Sequence, residues 1–418
     1  MNNQIQISPS HLNGTVSIPP SKSISHRAVI CAALAKGTSK VENLILSEDI
    51  KASIEAMKQF GAQIRLDFNA LNNRYVANIL GIKEPVVGPL TIDCNESGST
   101  ARFLIPFFQM TQNKVTFKGA EGLMKRPFGP YLALFEDQKI QFESNLGALP
   151  ITVSGRWQPG EYELVGNVSS QFITGLLFML PLLEGDSQIK IKPPFESIDY
   201  VKLTISCLKK FGIEIVWKDD LTLWINGNQS YRATEYWVEG DYSQASFWLV
   251  ANALGSHIEV EGLNTASEQG DKRIIEIIGN VTQQKEVDGY IDINVSQCPD
   301  LVPIIAVLCT VKAGLFRITG AERVRIKESN RLLAIATELN KLGALITETE
   351  DGLEIVGNRQ LTGGTVQAWQ DHRIAMALAI AATCANDVVT ILGKDSVNKS
   401  YPEFWKDYRA LGGVLSGE

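Results

Sequence analysis

Histidine is scarce, four residues in 418, and neither an HExxH pair nor a GxSxG turn nor a Cys/His pairing occurs. Metalloprotease and serine-hydrolase chemistry therefore have no support. The Gly-rich loops of nucleotide sites are missing too: no GxGxxG is present, and no phosphate loop ends in GK[ST]. The six cysteines (Cys31, Cys94, Cys207, Cys298, Cys309, Cys384) include no CxxC pair, so neither a zinc site nor a disulfide framework is indicated and a reducing, cytoplasmic compartment is expected. Positive charge is short, 39 Lys and Arg against 46 Asp and Glu for a formal charge of −7. General binding to nucleic acid or to an anionic membrane is not expected on that balance. No uncharged apolar run reaches the roughly 18 to 20 residues of a membrane span, and MNNQIQISPS lacks the basic start and apolar run of an export signal.

What is present is a soluble composition, 44% apolar and 20% charged, and a length that suggests two or three domains at roughly 150 residues each. One phrase recurs: an amphipathic helix end, a glycine, then a strand. It stands at AMKQFGAQI (Gly61), CLKKFGIEI (Gly212), EIIGNVT (Gly279), ELNKLGALI (Gly343) and YRALGGVL (Gly412), with intervals of 151, 67, 64 and 69 residues. Glycine accepts the left-handed backbone that ends a helix. The long first interval has room for one more copy, expected at Ala133 to Glu143 without the glycine, giving about six units. These divide into two domains of three. The early strands QIQIS and GTVSI precede Pro19-Pro20, and a second break falls at Asn226 to Thr234. If the early strands belong with the later half, the chain crosses twice, near residues 20 and 233, and makes a hinge suited to closure.

Cations gather at the starts of helices and turns. PPSKSISHR opens a helix capped by Ser21, with Ser23 and Arg27 on one face and Lys22 beside the free N–H groups. CNESGSTARF brings Gly98, Ser99, Thr100 and Arg102 after a strand; KRPFGP adds Arg126; NVSSQF sets Ser169, Ser170 and Gln171 before an apolar helix. SQCPDLVP holds Asp300 at the first turn of a hydrophobic segment, WQDHR brings His372 and Arg373, and NKSYPEF offers Lys399. In RVRIKESNRLLAIATELNKLG a helix should begin near Glu328 to Asn330, and Arg323, Arg325, Lys327 and Arg331 crowd its start. That is the wrong sign for a helix N-terminus unless something negative sits there. Guanidinium groups suit phosphates and carboxylates, so the pattern points to small, multiply anionic substrates and acid–base chemistry without a metal.

In this order the motifs SKSISHR, SGSTAR, KRP, SSQF, IKESNRL and QDHR, with the Lys399 segment, closely resemble the 5-enolpyruvylshikimate-3-phosphate synthase family across essentially the whole chain. The fold class implied is mixed α and β (α+β): two inside-out, barrel-like domains, each of three βαβαββ repeats with buried helices, joined by a double-crossover hinge. Residues 21–233 would form one domain and 1–20 with 234–418 the other, with the active site in the cleft between them. The resemblance implies that Lys22, Ser23, Arg27, Ser169, Ser170, Gln171, Ser197, Asp300 and Lys327 hold shikimate 3-phosphate. It assigns Lys22, Gly98, Arg126, Gln171, Arg331, Arg373 and Lys399 to phosphoenolpyruvate. Asp300 would be the base toward the 5-hydroxyl, Glu328 the acid at the methylene and later the base, and Lys22 a catalytic cation; no cofactor or metal is implied, and a cytoplasmic monomer is expected. Glu96, Ser99 and Arg323 depart from the commonest bacterial pattern and carry no assigned role.

Two other readings are set against this one. A UDP-N-acetylglucosamine enolpyruvyl transferase would carry a reactive cysteine before its Arg-Pro, and GAEGLMK (Gly119 to Lys125) has none. A non-catalytic repeat scaffold would have no use for both carboxylates and all the cations.

Overall fold

Several helices among the described residues are enclosed on nearly every face, and a helix of that kind is stable only when surrounded by protein. In Lys22–Leu34 every residue from Ile24 onward is buried. Ser170–Met179 and Val302–Val311 are almost as enclosed, and all of His372–Thr383 is buried. The computed structural model describes residues 3–84, 86–111, 113–283 and 289–417. It divides into two units, Pro20–Glu239 and Met1–Pro19 with Gly240–Glu418, each with its own hydrophobic core. Within the second unit Tyr242–Ala253, Val302–Val311 and His372–Thr383 pack against one another at the centre. Amphipathic helices such as Glu48–Gln59 and Arg331–Lys341 bury one face only. Among the described residues no helix is long and apolar enough to cross a membrane.

The repeat is visible as a sheet topology. Leu90–Asp93 runs parallel to Val115–Lys118, which pairs antiparallel with Ala148–Ser154, which pairs antiparallel with Gln141–Asn145. Five four-stranded sheets among the described residues share this order. Two are completed by distant chain. Glu235–Trp237 lies parallel beside Thr38–Leu44, and Gln4–Ser8 sits between Val389–Leu392 and Val414–Ser416. The first pairing keeps residues 234–239 with the Pro20–Glu239 unit, so the second crossing comes after Glu239 and not near residue 233. Within each unit the two crossing segments are tied: Ser21 N donates to Glu239 O at 2.8 Å, and Asp241 N to Pro19 O at 2.9 Å.

The helix-glycine-strand phrase holds at four of its five glycines. Gly343, at φ 91°, follows the Arg331–Lys341 helix and precedes Leu345–Glu348. At the copy expected without glycine, Lys139 takes the left-handed position itself (φ 55°), between Gly129–Asp137 and Gln141–Asn145. Gly279 is the exception and a correction: it lies inside the helix Ile274–Gln283, which continues four residues past it. Ile274, Ile277 and Val281 recur at helical spacing and are buried, which outweighs the roughly 1 kcal/mol that an interior glycine costs. That repeat contributes a two-stranded sheet, Asn13–Ser17 beside His257–Glu261.

Candidate active site

In the Pro20–Glu239 unit, Ser21 caps the Lys22–Leu34 helix through its side chain. Lys22 at the first turn pairs with Asp49, Nζ to Oδ2 at 3.0 Å. Arg27, one turn on, is buried and lies over the Phe103 ring; its Nε donates to Thr204 at 2.8 Å, and its other nitrogens donate to the carbonyls of Ser23 and Tyr200. Burial pulls its guanidinium down to about 10, still fully charged at neutral pH. His26 beside it is held well below the ordinary imidazole value, by burial first and then by Lys22 and Arg27, so it is neutral and serves the packing, with Ser53 at 2.8 Å from Nδ1.

Ser97 caps Gly98–Leu104, and Ser169 caps Ser170–Met179. Gln171 joins these two helix starts: its amide donates to Ser99 at 2.9 Å and accepts from Arg102 at 2.8 Å. Arg102, stacked over Phe128 and Phe172, thus orients the Gln171 amide. Arg126 is buried with its guanidinium against Gly98, where a Cβ would come within 2.8 Å of Nη1. Glu96 has a structural task, accepting from Gly122 N at 3.1 Å and anchoring the short helix before Arg126. Ser197, at the start of Ile198–Lys210, holds a left-handed conformation (φ 53°) and is buried. These residues present cationic and hydroxyl groups at helix starts, a set able to hold phosphate and hydroxyl oxygens.

In the other unit the crowded cations do meet negative charge, and it comes from the chain. Asn330 caps the Arg331–Lys341 helix. Arg331 is 1% exposed and engages three carboxylates: Nη1 to Asp300 at 2.8 Å, Nη2 to Glu328 at 2.7 Å, Nε to Asp371 at 2.8 Å. Arg373 reaches the other Asp300 oxygen at 2.8 Å, and Lys327 lies 3.6 Å from Asp300. Burial alone would push the Asp300 carboxyl up, but Arg373, Lys327 and Arg331 together hold it well below the ordinary carboxylate range. Burial brings Lys327 down to about 8 against the pull of Asp300. Three cations balance three carboxylates, and two of those carboxylates, Asp300 and Glu328, are the expected acid–base pair. Arg323 is buried and its charge helps to lower Lys327. Arg323 donates to the Ser296 carbonyl, and Arg325 pairs with Glu348 and donates to Thr349 O at 2.6 Å.

Asp371 was not singled out from sequence, although its place in QDHR is that of a helix cap: its side chain accepts from Arg373 N at 2.9 Å. His372 is buried with Nδ1 3.9 Å from Asp371. The turn before it is unusual. Asp371 N donates to Ala368 O at 2.9 Å, and the two central residues, Trp369 and Gln370, both have positive φ, 53° and 54°. A side chain in that region costs roughly 1–2 kcal/mol per residue. Lys399 Nζ donates to the Gln370 carbonyl at 2.9 Å. Among the described residues no group of three or more His, Cys, Asp or Glu is placed to hold a metal ion.

Asp271 is a further buried carboxyl missed from sequence. It accepts from the Ser243 hydroxyl, and burial, then Asp300, push it up to about 6. A carboxyl raised in the folded state binds its proton more tightly there than in the unfolded chain, so its stabilisation is complete below the ordinary value of 3.8 and is lost as pH rises through about 6. Asp271→Asn should therefore flatten the pH dependence of the melting temperature over this window. A slope as steep as that of the unsubstituted protein would show that Asp271 is ionised throughout.

The sequence pattern of EPSP synthase (3-phosphoshikimate 1-carboxyvinyltransferase) matches residues 7–408. The chain belongs to the EPSP synthase family. It is similar to the 3-phosphoshikimate 1-carboxyvinyltransferases of Clostridium novyi, 47% identical with 98% of each chain covered, and Clostridium perfringens, 46% identical with 99% of this chain and all of that one covered. An EPSP synthase structure from Acinetobacter baumannii covers 99% of the chain with a TM-score of 0.80 at 24% identity, which shows the same fold. As a member of this EPSP synthase family the chain is an enzyme, and a non-catalytic repeat scaffold is not favoured.

Proposed function

We infer that the enzyme transfers the enolpyruvyl group of phosphoenolpyruvate to the 5-hydroxyl of shikimate 3-phosphate and releases phosphate. The observation that carries the chemistry is the balanced cluster around Arg331, in which Asp300 and Glu328 lie close to cations and share one guanidinium. The attacking hydroxyl must lose a proton while the methylene of phosphoenolpyruvate gains one, and the tetrahedral intermediate then expels phosphate. Asp300 is the base toward the hydroxyl. Glu328 gives the proton to the methylene and later removes one. A carboxylate paired with Arg331 cannot act as an acid, so the role requires exchange: the substrate carboxylate takes the guanidinium, and Glu328, released from Arg331, takes up a proton.

Lys22, Ser23, Arg27, Ser169, Ser170, Gln171, Ser197 and Lys327 hold shikimate 3-phosphate with Asp300. Lys22, Gly98, Arg126, Gln171, Arg331, Arg373 and Lys399 hold phosphoenolpyruvate. Lys22 and the arginines stabilise the departing phosphate and the carboxylate. The cytoplasmic setting is supported by six free thiols, and the monomeric state rests on the family resemblance. A phosphate-release assay with phosphoenolpyruvate and each acceptor sugar tests the reading. Release with shikimate 3-phosphate alone is expected, and release with UDP-N-acetylglucosamine would overturn it.

Glyphosate should compete with phosphoenolpyruvate. Gly98→Ala adds a Cβ that meets Arg126 Nη1 at 2.8 Å and Arg102 Nη1 at 3.5 Å, both the far ends of side chains, so the fold should survive while the Arg126 guanidinium is displaced. Glyphosate inhibition is expected to weaken roughly ten- to hundredfold, with a rise in the KM for phosphoenolpyruvate. Unchanged inhibition would place Gly98 away from the pocket.

A further inference from the structure

The helix Arg331–Lys341 carries Arg331 at its start and, two turns later, a carboxylate with no place in the reaction. Glu338 is 1% exposed. It accepts from Trp369 Nε1 at 2.7 Å, from Gln367 N at 3.0 Å and from Lys341 Nζ at 2.8 and 2.9 Å. Of these donors, Gln367 leads into the Ala368–Asp371 turn and Trp369 is one of its two central residues, which hold the left-handed conformation that a tryptophan side chain disfavours. Such a conformation persists only where the surroundings over-determine it. Below the turn is the Glu338 carboxylate. Above it, Lys399 binds the Gln370 carbonyl. At its exit stand Asp371, bound to Arg331 Nε, and Arg373, bound to Asp300.

We propose that Glu338 is a positioning residue: by gripping Trp369 and Gln367 from the helix that bears Arg331, it holds the Ala368–Asp371 turn and so sets Asp371, Arg373 and Lys399 in register with Arg331 and Asp300. The helix thereby fixes its own guanidinium and, through a second side chain, the two cations assigned to phosphoenolpyruvate. The effect on that substrate rests on the assignment of Arg373 and Lys399 made above.

W369F removes one donor and keeps an aromatic ring; K341M removes the donor that does not touch the turn and serves as the control. Both variants should melt at a lower temperature. Only W369F should raise the KM for phosphoenolpyruvate, by about tenfold, the equivalent of one hydrogen bond to a charged group, with the KM for shikimate 3-phosphate held within a factor of about two of its original value. Equal changes in both KM values, or the same change in K341M, would reduce Glu338 to a general structural role and overturn the proposal. A crystal structure of W369F reads the turn whether or not the substrates are correctly assigned. Backbone at 369 and 370 leaving positive φ, with a longer Arg331–Asp371 contact, is expected, and an unmoved turn also overturns it. Absence of phosphate release by the unsubstituted enzyme would instead count against the functional reading alone.

Discussion

Asp300→Asn should lower kcat by roughly a hundredfold to ten-thousandfold, the span of general acid–base contributions, with both KM values changed far less. The amide keeps the size of the carboxylate and one oxygen for Arg331 and Arg373, which reach the two Asp300 oxygens at 2.8 Å each, but it has no lone pair basic enough to take the hydroxyl proton. In the unliganded cluster Asp300 is a weak base, because three cations hold its carboxyl low. Its basicity must rise when substrate anions occupy Arg331 and Arg373, which ties deprotonation to a filled site. Turnover within fivefold of the original would remove Asp300 from the chemistry and leave it as a counter-ion.

Arg331→Met should be the most destabilising single change in the site. The guanidinium is buried and bound to Asp300, Glu328 and Asp371, and Asp371 is itself wholly enclosed. Breaking a buried pair by removing one partner costs about 3–5 kcal/mol, a large share of the roughly 5–15 kcal/mol that holds a domain folded. Since each unit has its own core, the loss should appear in the melting of the unit formed by residues 1–19 and 240–418. Adding Asp371→Asn should restore part of the stability, because the amide removes one orphaned charge and keeps an oxygen for the helix cap at Arg373 N, while activity stays lost. Full stability in Arg331→Met alone would mean that the carboxylates accept protons at little cost.

The outcome for Arg331 also shows what sequence could and could not convey. That cations crowd one helix start, and that something negative must answer them, was legible from RVRIKESNR; which negative groups do so was not, because Asp300 and Asp371 lie 31 and 40 residues away and meet Arg331 only through the packing of buried helices. The repeat was legible for the same local reason, since a helix stop is written in a few residues. It failed at Gly279, where a buried apolar face carried the helix through the glycine. Motif residues such as Lys22, Arg27, Gln171 and Arg373 could be placed on helix starts from their neighbours. Their partners Asp49 and Thr204 could not, nor could Glu338, which holds Trp369 and Gln367, because nothing in the surrounding sequence marks a residue whose role is to hold another.

The strand Gln4–Ser8 has a consequence for how the molecule is made. It occupies an interior position in its sheet, between Val389–Leu392 and Val414–Ser416. Its neighbours leave the ribosome about 380 and about 405 residues after it, a delay on the order of 20 to 80 s at bacterial-to-eukaryotic elongation rates. Throughout that time Ile5 and Ile7, fully enclosed in the finished protein, lack their sheet partners, while the residue 20–239 unit is complete as soon as Glu235–Trp237 has emerged. Vectorial synthesis thus finishes the unit that carries Lys22 and Arg27 first and leaves the one that carries Asp300 and Arg331 waiting for its last strands.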